Sequence, residues 1–190
     1  ICRFITHGEP FSFDVGKFND SYFNYVAGFG VFPSVSYTTP QDMKNRLVYV
    51  AYVLNFLTTI PGGLTYKKHC KITHDGIVDE GDFMLGLITN SISVAGTQPG
   101  VIKKSSLNDG VFEALLIRAN PSPIDVAEMI AAFNGNCDHC NGVLTFQFEN
   151  ATFEFEDAVP WTLDGEDGGN VQSSEISVIP ERITVFVPKK

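Results

Sequence analysis

No stretch of this chain approaches the run of about 20 apolar residues that a membrane-spanning helix needs. Basic residues are also scarce, with 13 Lys and Arg against 22 Asp and Glu, a net charge of −9. Such a surface repels a phosphate backbone, so nucleic acid is not an expected partner. It repels an anionic bilayer for the same reason. Neither GxxxxGKS/T nor GxGxxG occurs, so the chain carries no nucleotide-phosphate cradle of its own. Gly28-Phe29-Gly30 is followed by Val31-Phe32-Pro33 rather than a helix start, and reads as a bend or bulge in a long strand. Ile1 to Pro10 include His7 and Glu9 and hold no apolar core, so no secretion signal is visible. The first residue is not Met, and the chain is read as a piece of a longer or processed protein. No internal repeat, low-complexity tract or linker is present.

Cysteine is sparse too: Cys2, Cys70, Cys137 and Cys140. Only Cys137-Asp138-His139-Cys140 has suggestive spacing. A zinc site would want a second ligand pair at similar spacing, and His69-Cys70 with His74 fits no standard framework. A redox pair would open a helix after a strand, whereas this one follows a helix and precedes a strand. Free thiols are therefore expected, which suits a cytoplasmic protein. The histidines His7, His69, His74 and His139 show no nucleophile or carboxylate partner at telling spacing.

What is abundant is apolar and aromatic: 44% apolar residues, 12% aromatic, 16 Phe. Aromatic and β-branched side chains suit half-buried pleated surfaces. One domain over residues 1–190 with a substantial core is expected. Strand signals recur at Arg3–Thr6, Phe11–Val15, Tyr22–Val31, Lys67–Thr73, Asp82–Thr89, Val111–Arg118, Val143–Phe148, Thr152–Phe155, Glu175–Val178 and Arg182–Val187. Val143, Thr145 and Gln147 alternate with Leu144, Phe146 and Phe148 at period two, and Asn150 reads as a hairpin turn after them. Thr39-Pro40-Gln41-Asp42 caps a helix whose face is Met43, Leu47, Val50, Ala51, Leu54 and Leu57, ended by Pro61-Gly62-Gly63. Ser122-Pro123 opens a shorter helix through Ile130, closed by Gly135. The expected fold is mainly β, an antiparallel β-sandwich with two inserted helices.

Two acidic turns stand out. Trp161-Thr162-Leu163-Asp164-Gly165-Glu166-Asp167-Gly168-Gly169 places three carboxylates within four residues. Leu107-Asn108-Asp109-Gly110 follows the loop Asn90-Ser91-Ile92-Ser93-Val94-Ala95-Gly96. Carboxylates on glycine-hinged turns can ligate a hard cation or take a proton from a hydroxyl. Asp-Gly is equally an ordinary turn that needs neither role.

The ordered set Asn24-Tyr25-Val26-Ala27-Gly28-Phe29-Gly30, Asn90-Ser91 to Gly96, Ser106-Leu107-Asn108-Asp109-Gly110 and Leu163-Asp164-Gly165-Glu166 resembles the C-terminal domain of the bacterial diacylglycerol-kinase-like lipid kinases. The resemblance covers nearly the whole chain. It implies a two-domain parent whose N-terminal α/β domain carries a Gly-Gly-Asp-Gly-Thr nucleotide motif, absent here. It implies transfer of the γ-phosphoryl of ATP to a lipid hydroxyl with Mg2+. Glu166 matches the family's proton acceptor, with Asp164 beside it. Asp109 matches the carboxylate of a structural magnesium site, and the carbonyls of Ser106 and Val111 match its other protein ligands. Val94-Ala95-Gly96 departs from the family's richer glycine run. Trp161 and Leu163 are placed to exclude water around Glu166 and lift its pKa.

A lipid substrate at the membrane surface, diacylglycerol first, is the partner this resemblance implies. Lys67-Lys68 and Lys103-Lys104 are the local basic patches that would compensate the negative charge in a peripheral contact. Phe29, Phe32, Tyr49 and Phe56 suit either an acyl cleft or a core. Without its nucleotide domain the chain is expected to fold but to lack kinase activity. The alternative is a non-enzymatic sandwich module that binds carbohydrate or protein, using the single Trp161 and a cation turn. Exposed sheet edges leave a homodimer open.

Overall fold

The computed structural model describes residues 8–30, 66–90, 106–133 and 140–188. Among them are nine strands and one helix: β1 (Glu9–Phe18), β2 (Ser21–Phe23), β3 (Val26–Gly30), β4 (Lys68–His74), β5 (Ile77–Thr89), β6 (Phe112–Arg118), α1 (Pro123–Phe133), β7 (Val143–Phe148), β8 (Asn150–Leu163) and β9 (Glu166–Val187). The expected strand Arg3–Thr6, the helix from Thr39 to Leu57 and the 91–105 loop lie outside the described residues.

All nine strands join one antiparallel sheet, ordered β2-β1-β9-β8-β3-β5-β6-β7. β3 and β4 lie end to end between the long strands β5 and β8, each pairing with both. The sheet curls until its ends face each other. Phe23 of β2 meets Phe112 of β6 with ring centroids 5.5 Å apart, although five strands separate them in the sheet order. The mainly β, antiparallel expectation stands. The two sheets of a sandwich are instead one continuous, barrel-like sheet among the described residues.

The reason for the curl is the aromatic load. Trp161 on β8 is buried, with Phe18, Phe29, Phe153 and Phe155 around it at centroid distances of 5.0, 4.9, 5.7 and 6.3 Å. Burying each such ring is worth roughly 1.5–3 kcal/mol, and only a closed surface hides them all. A smaller cluster of Met84, Leu85, Leu115, Ile117 and Met129 packs α1 onto β5 and β6. The start of α1 is set locally. Ser122 donates its N–H to Asp125 Oδ2 (2.8 Å) and its Oγ accepts from Asp125 N–H (3.2 Å), a reciprocal cap.

Several boundaries differ from expectation. β8 and β9 are far longer than the segments expected in them, because Pro160 and Pro180 are absorbed beside register shifts rather than ending strands. Asn150 does not turn β7 back on itself. β7 pairs with β6, and Asn150 pairs with Ser177 of β9. The Tyr22–Val31 strand is two strands, β2 and β3, broken by a bend at Asn24-Tyr25. Gly28 pairs with Leu87 in unbroken register, so β3 carries no bulge there.

Candidate functional site

Both acidic turns fall at the same end of the sheet. Leu163 and Glu166 are cross-strand partners, so Asp164-Gly165 is a two-residue hairpin turn joining β8 to β9. Its φ values of 52° and 90° require left-handed backbone at both positions, which Asp tolerates and Gly favours. The Asp164 carboxylate then reaches the Asn24-Tyr25 bend. Oδ2 accepts from Asn24 N–H (2.7 Å), and Oδ1 accepts from Tyr25 and Val26 N–H (2.8 Å each). The Asp164 N–H returns a bond to the Val26 carbonyl at 2.7 Å.

The second turn leads into β6. Asp109 Oδ2 accepts from Ser106 N–H (2.9 Å) and Oδ1 from Val111 N–H (3.4 Å). Ser106 Oγ bonds Asn108 Oδ1 at 2.8 Å. The turn is clasped from below by Asp14, which is fully buried. Its Oδ2 accepts from Gly110 N–H (2.8 Å), its Oδ1 from Glu181 N–H (2.7 Å), and its N–H donates to the Leu107 carbonyl (2.8 Å).

Asn90, at the end of β5, connects the two turns. Its Nδ2 donates to the Asp14 carbonyl (2.9 Å) and the Leu107 carbonyl (3.4 Å), and its N–H donates to the Tyr25 carbonyl (3.3 Å). Tyr25 is therefore held by Asp164 through its N–H and by Asn90 through its carbonyl. One hydrogen-bonded frame carries both carboxylate corners.

Of the expected site residues, Ser106, Asp109 and Val111 come together in one turn, and Asp164 and Glu166 in one hairpin. Glu166 is exposed. Trp161 and Leu163 belong to the core and do not screen it, because the aromatic cluster claims both side chains. Asp14 was missed by sequence reasoning and Asn90 was seen only as a loop start. A lone Asp in the apolar run Phe11 to Val15 was the available signal for Asp14. Asp109 fits a hard cation in one respect. Each of its oxygens accepts a single N–H and retains lone-pair capacity, with the Ser106 and Val111 carbonyls on the same turn. Among the described residues no group of three or more His, Cys, Asp and Glu side chains is placed to hold a metal, so such a cation would lean on carbonyls and water.

Three side chains of the β4–β5 hairpin region are partnered by carboxylates. His69 has Asp82 on Nδ1 (2.9 Å) and Glu80 on Nε2 (3.0 Å), and His74 has Asp79 on Nε2 (2.9 Å). Sequence spacing hid these pairs because they cross the β4–β5 hairpin, where His69 directly faces Asp82. Lys67 is bridged to Asp82 at 2.9 Å, so half of the Lys67-Lys68 patch is already neutralised. Lys103-Lys104, His7 and His139 lie outside the described residues, as do Phe32, Tyr49 and Phe56. Phe29 is core. Cys70 is a free thiol, while Cys2 and Cys137 fall outside the described residues.

No family model matches the chain. Curated proteins do. A diacylglycerol kinase of Bacillus subtilis strain 168 is 28% identical over 188 residues, covering 98% of this chain and 60% of that protein. A diacylglycerol kinase of Staphylococcus carnosus strain TM300 is 25% identical over 186 residues, covering 97% and 59%. This chain is similar to bacterial diacylglycerol kinases. The likeness read from its turn motifs is thus borne out, and the chain spans about three fifths of the length of those diacylglycerol kinases. The fold agrees. A diacylglycerol kinase crystal structure from Bacillus anthracis strain Sterne superposes with a TM-score of 0.66 at 19% identity, covering 95% of this chain and 57% of that one. A further Bacillus anthracis structure assigned to the same kinases gives a TM-score of 0.72, covering 98% and 61%.

Proposed function

We propose that this chain is the C-terminal, lipid-facing part of an ATP-dependent lipid kinase that phosphorylates a lipid hydroxyl, diacylglycerol first. The single observation that carries the reading is the frame just described, which presents the Asp109 turn and the Asp164-Gly165-Glu166 hairpin side by side at one end of the sheet. Glu166 is the proton acceptor. Phosphoryl transfer is mostly positioning and charge neutralisation, with the acceptor proton removed by a nearby carboxylate. Because Glu166 is exposed, the water around it has to be displaced by the lipid headgroup or by the nucleotide-binding domain that this chain does not contain. Asp164 orients the hairpin: its oxygens are spent on three backbone donors. Asp109, with the Ser106 and Val111 carbonyls, holds Mg2+ when bound, and that ion supplies fixed positive charge near the phosphate-bearing partner.

ATP is bound outside residues 1–190, and these residues by themselves are inactive. The protein works in the cytoplasm and touches the membrane peripherally; no helix among the described residues is long and apolar enough to cross a bilayer. The carbohydrate-binding alternative loses its anchor, because Trp161 is buried and offers no exposed ring for a sugar.

The test is Glu166→Gln in the full-length protein, assayed for ATP-dependent phosphorylation of diacylglycerol in mixed micelles. Loss of about two or more orders of magnitude in kcat is expected for removal of a general base. Near-normal turnover would remove Glu166 from that role.

A further inference from the structure

The geometry points to Asn90 as a positioning residue that sets the distance between the two acidic turns, with Asp14 as its anchor. This rests on the kinase reading for its consequence, and on the hydrogen bonds of Asn90 and Asp14 for its mechanics. Asn90 is 1% exposed, and its amide can be oriented without ambiguity. The nitrogen faces two carbonyl oxygens, of Asp14 and Leu107, so it has to be the donor. Its main-chain N–H takes the Tyr25 carbonyl. One residue thereby grips the 106–110 turn with its side chain and the 24–25 bend with its backbone.

Asp14 completes the grip. Its carboxylate is buried and binds Gly110 N–H on the turn and Glu181 N–H on β9. Glu181 stands in the left-handed region (φ 48°) inside the bulge opposite Asp14, so the same carboxylate also steadies that bulge. The turn bearing Asp109 is thus attached to β1, β5 and β9 at once. The hairpin bearing Glu166 is attached to the Tyr25 bend by Asp164. Beside the β3–β5–β6 ladder and the Asp14–Glu181 tie to β9, Asn90 joins the Leu107 carbonyl of one turn directly to the Tyr25 carbonyl of the other, and its side-chain contacts reach sequence separations of 76 and 17. A base and a cation turn that must address one transferring group need this spacing held closely, because a shift of about 1 Å can cost on the order of a hundredfold in rate.

Asn90→Asp is the sharp variant. It keeps shape and volume but turns the donor into a charged acceptor facing two carbonyls. In the full-length protein, kcat for diacylglycerol phosphorylation should fall at least about tenfold with KM changed less than about twofold, since the frame and not the lipid contact is altered. Amide hydrogen exchange should rise in both the 24–26 and the 106–111 segments while β8 stays protected. Asn90→Ser, which keeps a short donor, should recover part of kcat and serves if the first variant folds poorly. Exchange that rises in only one turn, or in neither, would overturn the inference, as would an unchanged kcat in an active wild type. If the wild-type protein shows no kinase activity, the kinase reading fails, and the exchange comparison still decides whether Asn90 couples the turns.

Discussion

Asp164 holds Tyr25 across the sheet: its Oδ1 accepts the Tyr25 N–H at 2.8 Å, although 139 residues separate them in sequence. The same oxygen takes Val26 N–H and its neighbour takes Asn24 N–H. Three charge-assisted bonds to main-chain donors make this side chain a structural clasp at the edge of the candidate site. Asp164→Ala removes all three and places alanine in left-handed backbone (φ 52°). A loss of about 2–4 kcal/mol in urea unfolding is expected. Asp164→Asn keeps the backbone preference and should cost less, which separates the bond term from the backbone term.

Gly86 on β5 faces the Phe29 ring so closely that a Cβ would come within 2.2 Å of a ring carbon. Phe29 cannot retreat, because Phe155 and Trp161 stand 4.9 Å from its centroid. Gly86→Ala should destabilise by roughly 1–3 kcal/mol through overpacking. Phe29→Leu in the same chain should recover part of that loss, measured by thermal unfolding of the single and double variants.

The His69 ring is held by Asp82 first and Glu80 second, which raises its pKa above 6.5. Asp82 is lowered below 3.8 by its bonds to Lys67 and then His69. A raised His pKa favours the folded state at low pH, fully below the unfolded value and lost as pH climbs through the folded one. The lowered Asp82 works the other way, with its contribution lost as pH falls through its folded value. The cluster is therefore most stabilising between those two reference values. Wild type should exceed His69→Gln in stability near about pH 5 and lose that margin as pH rises through the raised His69 value. Titration of the His69 ring by NMR should show a midpoint above 6.5.

Burial pushes the Cys70 thiol up to about 12, and its side chain is fully enclosed between β5 and β8. A thiol with almost no thiolate at neutral pH reacts slowly. Iodoacetamide should leave Cys70 unmodified in the native protein and alkylate it in urea, as read by peptide mass spectrometry.

If Asp109 and its turn hold Mg2+, the ion should raise the unfolding temperature in a concentration-dependent way. Asp109→Asn should abolish that rise while changing the metal-free value little, since an amide oxygen still accepts from Ser106. A Mg2+ response that survives the substitution would move the metal elsewhere.

Local chemistry was the part of the structure readable from the chain. β7 matches its expected bounds, Val143–Phe148, because alternation marks both its ends. The Ser122 cap places the start of α1 within a residue of the helix observed. The Asp-Gly turn at Asp164 could be recognised because its conformation belongs to those two residues. The bundling of short strands into β8 and β9 could not be read, since Pro160 and Pro180 look like stops until bulges opposite their partners accommodate them. Nor could the carboxylate partners of His69 and His74, which strand pairing alone brings into reach.

Composition and period therefore determined that this would be an aromatic, antiparallel β protein with acidic turns, because those properties depend on neighbours within a few residues. Which of those turns share an end of the sheet was decided only in three dimensions. Asp14, Asn90 and Asp164 act across tens to hundreds of residues through backbone donors and acceptors, and every sequence position has those, so no residue pattern announces them.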